Sequence, residues 1–545
     1  KSRKKIFQEF KIFVKKKESY EIEKLVSIYA SQDKDVENPL AEAINSAKNS
    51  IRFSELFRVH KIAWHNIWKE FDIEVGGDEF SQKALRLHAF HLIQTASIHN
   101  IDIDAGLPAR GLHGEAYRGH IFWDELFVMP FFDLHRPRIS KALLKYRYRR
   151  LPKAREYATQ NNYDGSMFPW QSGSTGEEET QVIHLNPISG KWGMDYSRIQ
   201  RHVSFAIAYN VWEHYKRTDD HDFLHDYGAE MLLSIAKFGA SLTEYNFRDK
   251  KYHTNGVMGP DEFHERLPGS QIAGFKDNAY TNLMIAWTLL KAKQALAALS
   301  EQSQEKLLEK LGIGLDELER WENISKKLNI IIDKEGVISQ FDGYFKLKEL
   351  NWQVYRKKYG NIQRLDRILK AEGKSPNDYK VAKQADVLMI FYLLPLGEIK
   401  DLFSGLGYKM NKKILNKNYE YYAGRTSHGS TLSKVVHCYL SVLLGRSSEA
   451  WQWFQEVLKS DIYDTQGGTT LEGVHEGVMG GSINIVMKGF AGISLLRDRI
   501  KIEPNLPKEW RSLKFGFSYK GNKIYLCLTK DHLNIIIHKL KLKAV

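Results

Sequence analysis

YTNLMIAWTLLKAKQALAAL, residues Tyr280–Leu299, runs through an apolar, Ala- and Leu-rich segment with no glycine or proline, and it predicts one long helix. Segments of the same kind recur on both sides of it. They are Ser81–His99, His202–Arg217, Tyr227–Tyr245, Gln304–Leu311, Leu315–Leu328, Val381–Leu394, Thr431–Leu444 and Ala450–Leu458. Helix after helix, with few strand-like runs between, predicts an all-α array over residues 80–497. The ends differ. Residues 1–20, with Phe10, Ile12 and Val14 on one face, read as a strand, and residues 21–79 as a helical connection. Residues 498–545 hold short β-rich runs at Ile500–Ile502, Leu513–Tyr519, Lys523–Leu528 and Leu533–His538, separated by turn residues, and predict a small β domain.

The chain has 545 residues, 43% of them apolar and 12% aromatic, enough for a large packed core and too apolar for a disordered chain. Its two cysteines, Cys438 and Cys527, are far apart and lack a CxxC partner, which excludes a disulfide scaffold and a zinc ribbon. No apolar run approaches the ~20 residues that span a bilayer, and the start at Lys1 carries no apolar signal segment. A soluble, cytoplasmic protein is expected, with no membrane partner. The net charge of +14 is concentrated in residues 1–17 and in Arg136–Arg155. The second stretch reads as the solvated face of a helix with Ile139, Leu143, Leu144 and Leu151 inward. No recognised motif accompanies the charge, so a nucleic-acid partner is not expected.

The chemistry concentrates in six loops between the helices: GLHGEAYRGHIFWDE (111–125), FPWQSGSTGEEETQ (168–181), GVMGPDEFHE (256–265), KQAD (383–386), RTSHGSTLS (425–433) and GGTTLEGVHEG (467–477). Between them they mix Trp and Tyr with carboxylates, amides, hydroxyls and histidine. Sugars demand such a mixture: C–H faces of a pyranose stack on aromatic rings, vicinal hydroxyls take paired hydrogen bonds, and cleavage needs a carboxylic acid to protonate the leaving oxygen. Taken singly, each loop has a plainer reading. Trp-Asp can be a buried aromatic beside a helix start, Gly-Pro-Asp-Glu a turn into a helix, and Ser-Thr-Leu-Ser a helix start. Six together at the junctions of one array are harder to read that way. His264-Glu265 and His475-Glu476 lack the second histidine of HExxH, and no glycine-rich stretch matches a P-loop or dinucleotide fingerprint, so no metal and no cofactor are expected.

These loops, in this order, resemble glycoside hydrolase family 65, the kojibiose, trehalose and maltose phosphorylases and their hydrolase relatives, over roughly residues 80–530. The resemblance implies a β-sandwich, a linker, an (α/α)6 barrel and a small C-terminal β domain. Residues 1–20 would then be the last piece of the sandwich, whose remainder would lie outside this chain. Within GPDEFHE, Glu262 corresponds to the general acid. Trp123 and Asp124 correspond to the pair that holds the glucosyl unit, with Trp170, Lys383, Gln384 and Glu472 as further sugar contacts. His428, Ser430, Thr431 and His475 lie where phosphorylases hold the attacking phosphate. The phosphorylase form of that loop reads closer to His-Asp-Ser-Ser-Leu-Ser, whereas this chain has Gly429 and Thr431. Relatives of the fold commonly dimerise, which makes a homodimer the expected assembly.

Two reactions fit. In phosphorolysis, inorganic phosphate is the co-substrate and attacks as a ready-made anion, so one carboxyl and an anion pocket suffice; the opening of the helix at Ser430 supplies hydroxyls and N–H groups for it. In hydrolysis, a second carboxylate must activate water ~6.5–9.5 Å from the acid. Glu420, Glu472 and Glu476 are the candidates, Glu420 being the most discriminating. In either case an apolar surround is expected to keep Glu262 protonated. A sugar-binding protein without activity and a nucleic-acid binder are the readings from other classes. The first is disfavoured by the intact acid motif, and the second predicts steeply salt-dependent association.

Overall fold

The computed structural model describes residues 7, 9–465, 470–496 and 499–539. They divide into two units, Lys1–Lys69 and Glu70–Val545. In the first, residues 9–38 form no helix or strand. The strand expected within residues 1–20 therefore has no counterpart among the described ones, and residues 1–6 and 8 lie outside them. Helices α1 (Pro39–Lys48) and α2 (Phe53–Phe71) follow. Helix α1 starts where its sequence requires: Pro39 occupies the first turn, and the Asn38 side chain accepts from the Ala41 N–H.

The second unit opens with strand β1 (Ile73–Gly76) and continues as alternating helices. These are α3 (Glu79–Thr95), α4 (Glu125–His135), α5 (Pro137–Arg149), α6 (Val203–Thr218), α7 (Ala229–Ser241), α8 (Ala279–Ala297), α9 (Leu315–Lys327), α10 (Leu388–Leu393), α11 (Leu396–Gly405), α12 (Lys412–Ala423), α13 (Thr431–Leu444), α14 (Ser447–Lys459) and α15 (Glu476–Asn484). Helices α4, α6, α8, α10, α13 and α15 pack each on the next, and α15 returns to α4, closing an inner ring of six. Helices α3, α5, α7, α9, α12 and α14 pack outside that ring. The fold is an (α/α)6 barrel.

The inner helices explain where the periodicity reading fell short. Every residue of α4 is buried, so it shows no polar stripe and does not announce itself as an amphipathic helix. Helix α15 is likewise buried throughout, and its glycines are packing glycines: a Cβ on Gly480 would lie 2.6 Å from the Phe127 carbonyl oxygen of α4. The expected helix Val381–Leu394 begins only at Leu388. Before it, the Ala382 N–H donates to the Arg425 carbonyl and the Ser427 N–H to that of Ala382, which ties the start of this segment to the 425–429 loop. The basic stretch Arg136–Arg155 forms two helices, α5 and Leu151–Gln160, with Ile139, Leu143, Leu144 and Leu151 buried as expected. Arg147 and Arg150 are buried too. Arg147 pairs with Glu125 at 2.9 Å and donates to the Phe122 carbonyl, locking the start of α4.

The C-terminal strands β2 (Ser512–Tyr519), β3 (Asn522–Thr529) and β4 (Leu533–Lys539) form an antiparallel sheet whose fourth member is β1, with Ile73 opposite Phe515 and Val75 opposite Leu513. Lys520 and Gly521, both at positive φ, make the tight hairpin between β2 and β3. Among the described residues no helix is long and apolar enough to cross a membrane.

Candidate active site

The loops singled out in the sequence converge because several of them lead into N-termini of inner helices. Trp123 and Asp124 immediately precede α4, Lys383 and Gln384 lie just before α10, Ser430 is the N-cap of α13, and His475 that of α15. The converging helix ends create a region of positive potential suited to an anion. Two adjoining chambers open there, of about 540 and 420 Å³. The larger is lined by Trp123, Asp124, Trp170, Glu262, Lys383 and Gln384, among others. The smaller is lined by Arg110, Arg364, Arg367, Gly429, Thr431 and Glu472, and Tyr117, Lys383, Ser430 and His475 border both.

Glu262 is held at φ +61°, a conformation that is strained for a residue with a Cβ. One carboxylate oxygen accepts from Lys383 Nζ at 2.6 Å and the other from Gln384 Nε2 at 2.7 Å. The expected apolar surround is thus absent. The sequence could not show this, because the ammonium and amide that face Glu262 arrive from a segment some 120 residues later. Behind the loop, Asp261 and His264 are buried and meet at 2.5 Å, while His264 Nε2 donates to the Tyr379 carbonyl at 2.9 Å. Asp386 lies beside them, accepting from Asn278 Nδ2 at 3.2 Å. Its own burial, and next the charge of Asp261, push its carboxyl well above the usual range.

Trp123 and Trp170 are both buried, with ring centroids 6.1 Å apart, and both pack on His202. The Trp170 loop is pinned by Glu178, whose carboxylate accepts from the N–H groups of Trp170, Gln171 and Thr180. Asp124 accepts from His475 Nε2 at 2.7 Å, and His475 Nδ1 meets the Thr431 hydroxyl at 2.7 Å. His475 thus links the loop before α4 to the loop before α13. The Ser430 side chain makes no capping bond to α13, which leaves its hydroxyl and the first N–H groups of that helix to the chambers.

Three expected residues stand elsewhere. His428 borders neither chamber: it is at φ +55°, contacts Ser433 Oγ at 3.0 Å and packs on His437 and Trp453. Burial holds its imidazole well below the usual value. Glu420 is exposed on α12, bound to Arg446 and Asn416, and borders neither chamber, which removes it as a base for water. Glu472 borders the smaller chamber alone, away from Glu262. Residues 467–469 of the last loop lie outside the described residues.

The structure also adds Arg110, Tyr117, Gln171, Gln181, Asp195, Ser197, Arg364 and Arg367 to the chamber walls. The arginines of the segment NIQRLDRILK had no signal in the sequence beyond charge. Among the described residues no group of three or more His, Cys, Asp or Glu is arranged to hold a metal ion.

Comparison with known proteins gives the family and bears on the fold. Residues 86–484 match the glycosyl hydrolase family 65 central catalytic domain, residues 1–67 its N-terminal domain and residues 494–541 its C-terminal domain. The chain is 44% identical over 509 residues to an uncharacterised glycosyl hydrolase of Mycobacterium tuberculosis, covering 93% of this chain and 38% of that protein. It is 41% identical over 525 residues to the trehalose 6-phosphate phosphorylase of Lactococcus lactis, covering 96% and 66% respectively. Among solved structures, a candidate kojibiose phosphorylase from the human microbiome superposes with a TM-score of 0.77 at 26% identity, over 92% of this chain and 68% of that one. The chain therefore spans between about two fifths and two thirds of the length of these proteins.

Proposed function

The chain belongs to glycosyl hydrolase family 65 and is an enzyme of that kind, and from that premise we propose that it cleaves an α-glucosidic disaccharide with inorganic phosphate, inverting the anomeric centre to give β-glucose 1-phosphate and the second sugar. The observation that carries this reading is the pairing of one strained carboxyl, Glu262, with a wall of hydroxyl and backbone N–H groups at Ser430 and Thr431, beside His475, where inner helices begin.

The glucosyl ring sits in the larger chamber against Trp123, its hydroxyls bound by Asp124, Lys383 and Gln384. Substrate hydroxyls draw Lys383 off Glu262, which takes up a proton from solvent and then delivers it to the glycosidic oxygen as the C1–O bond breaks. A phosphate oxygen at the Ser430–Thr431–His475 wall bonds to C1 from the opposite face. The proton that the new phosphate ester sheds balances the one that Glu262 gave. With Asp124 tied to His475 and Glu420 remote, no protein base is required. No cofactor enters, and inorganic phosphate is the co-substrate.

The test is product analysis with trehalose, kojibiose, nigerose, maltose and trehalose 6-phosphate, each with and without phosphate. Glucose 1-phosphate of β configuration, formed only with phosphate, is the expected result. Free glucose released equally fast without phosphate would make the enzyme a hydrolase and overturn the reading.

A further inference from the structure

The smaller chamber has a charge that sugar hydroxyls do not call for. Arg110, Arg364 and Arg367 all border it, and none borders the sugar chamber; among the described residues Glu472 is the one acid in its wall. Arg110 is 8% exposed. One guanidinium nitrogen holds the Gly473 carbonyl at 3.0 Å, while its Nε is buried without a partner. A buried guanidinium with an unmet donor demands a ligand more strongly than an exposed one. Arg364 is braced by a bidentate contact with Asp366, at 2.9 and 3.1 Å. The Arg367 backbone bonds to Arg364 and Asn186, while its guanidinium has no hydrogen-bond partner among the described residues. Burial, and next the neighbouring Arg364, lower its hold on its proton, against the opposing charges of Asp366 and Glu472.

The backbone explains how these arginines reach the anion loop. A Cβ on Gly429 would stand 2.3 Å from the Gln363 carbonyl oxygen, so only glycine lets the segment bearing Arg364 and Arg367 come this close. The Ser427 hydroxyl donates to that same carbonyl at 3.0 Å and fastens the segment there. Gly429, like Thr431, is also a position at which the loop departs from the phosphorylase pattern. Glycine there admits the segment that bears two arginines.

We propose that Arg110, Arg364 and Arg367 form a phosphoryl-binding site in the smaller chamber, for a phosphoryl group that is either free inorganic phosphate or an ester carried by a sugar substrate. The planar forks of guanidinium groups match tetrahedral oxyanions in geometry and charge. The proposal rests on the phosphorolytic reading above for what occupies the sugar chamber, and it enlarges the anion site beyond the hydroxyls and His475.

The test is calorimetric binding at fixed ionic strength of inorganic phosphate and, separately, of glucose 6-phosphate, to the wild-type protein and to Arg364→Gln and Arg367→Gln. The expected result is that at least one of the two ligands binds the wild type and loses tenfold or more in affinity in each variant. Loss confined to glucose 6-phosphate assigns the site to a sugar ester, and loss confined to inorganic phosphate assigns it to the attacking anion. Arg367→Lys keeps the charge without the fork, falls between, and stands in if the Gln variant does not fold. Affinities within twofold of wild type in every variant, or no binding of either ligand to the wild type, overturn the proposal. Product analysis remains separate. A wild type that binds phosphoryl ligands yet forms no glucose 1-phosphate defeats only the phosphorolytic reading. An active phosphorylase whose arginine variants bind normally defeats only this one.

Discussion

Replacing Glu262 by Gln separates proton donation from every other service the residue performs. Its carboxylate meets Lys383 Nζ at 2.6 Å and Gln384 Nε2 at 2.7 Å, and a glutamine keeps one acceptor while turning an N–H₂ towards the other donor. One polar contact is lost at a site whose two ionic side chains are 19% and 24% exposed, so solvent softens the cost to about 1 kcal/mol. The melting temperature should move by less than about 2 °C. The rate effect is far larger. A general acid is worth about 10²–10⁴-fold, or about 2.7–5.4 kcal/mol of barrier, when the leaving group is a sugar hydroxyl. With α-glucosyl fluoride the leaving group departs unprotonated, and the acid is worth little. We expect Glu262→Gln to lose at least a hundredfold in kcat/KM on a disaccharide and less than tenfold on the fluoride, both measured with phosphate present. Equal losses on the two substrates would refute the acid role and leave Glu262 as a positioning residue.

Three further perturbations test the scaffold. A Cβ on Gly259 would fall 2.0 Å from Asp386 Oδ2 and 2.4 Å from Asn278 Nδ2, so Gly259→Ala should cost about 1–3 kcal/mol in urea unfolding and lower kcat by displacing the Glu262 loop; a stable, fully active variant would show that the loop is not so confined. Burial lifts the Glu476 carboxyl to about 8, against the Thr95 hydroxyl that pulls it down and with Asp124 and Asp461 adding to the rise. Between the ordinary value of 4.5 and about 8 the folded state binds the extra proton, so this group makes stability fall as pH rises through that window. Glu476→Gln should therefore match wild type near pH 5 and exceed it near pH 8, and parallel stability curves would contradict the buried acid. Arg147→Met strands Glu125 in the core and should cost about 3–5 kcal/mol, while the double change with Glu125→Leu should recover at least half; no recovery would mean that the pair's charge balance is not what matters.

The outer helices were legible because each buries one face. Leu315–Lys327 and Ser447–Lys459 repeat apolar residues at helical spacing, and their predicted spans differ from the observed ones by a few residues. The C-terminal strands were legible for the same local reason, alternation along β2 and β3. The inner helices α4 and α15 were not, since burial on all sides erases the period. Nor was the partnership of β1 with β2, a pairing that spans more than four hundred residues of chain and leaves no local trace.

The site divides in the same way. Residue types in short loops sufficed to mark the six segments as suited to a sugar, because sugar chemistry restricts which groups occur together, and the resemblance to the family picked out Glu262, Trp123, Asp124, Lys383, Gln384, Ser430, Thr431 and His475 within them. Tertiary structure alone decided which loop residues face the chambers. It turned His428 into the packing against Trp453, left Glu420 on the surface with Arg446, and brought Arg110, Arg364 and Arg367 together around one cavity. Composition and local spacing determine what a segment can form and what chemistry its side chains can supply. Which of those side chains meet depends on the closure of the helical ring and on close approaches such as Gly429 against Gln363, contacts between segments that carry no mark of one another in the sequence.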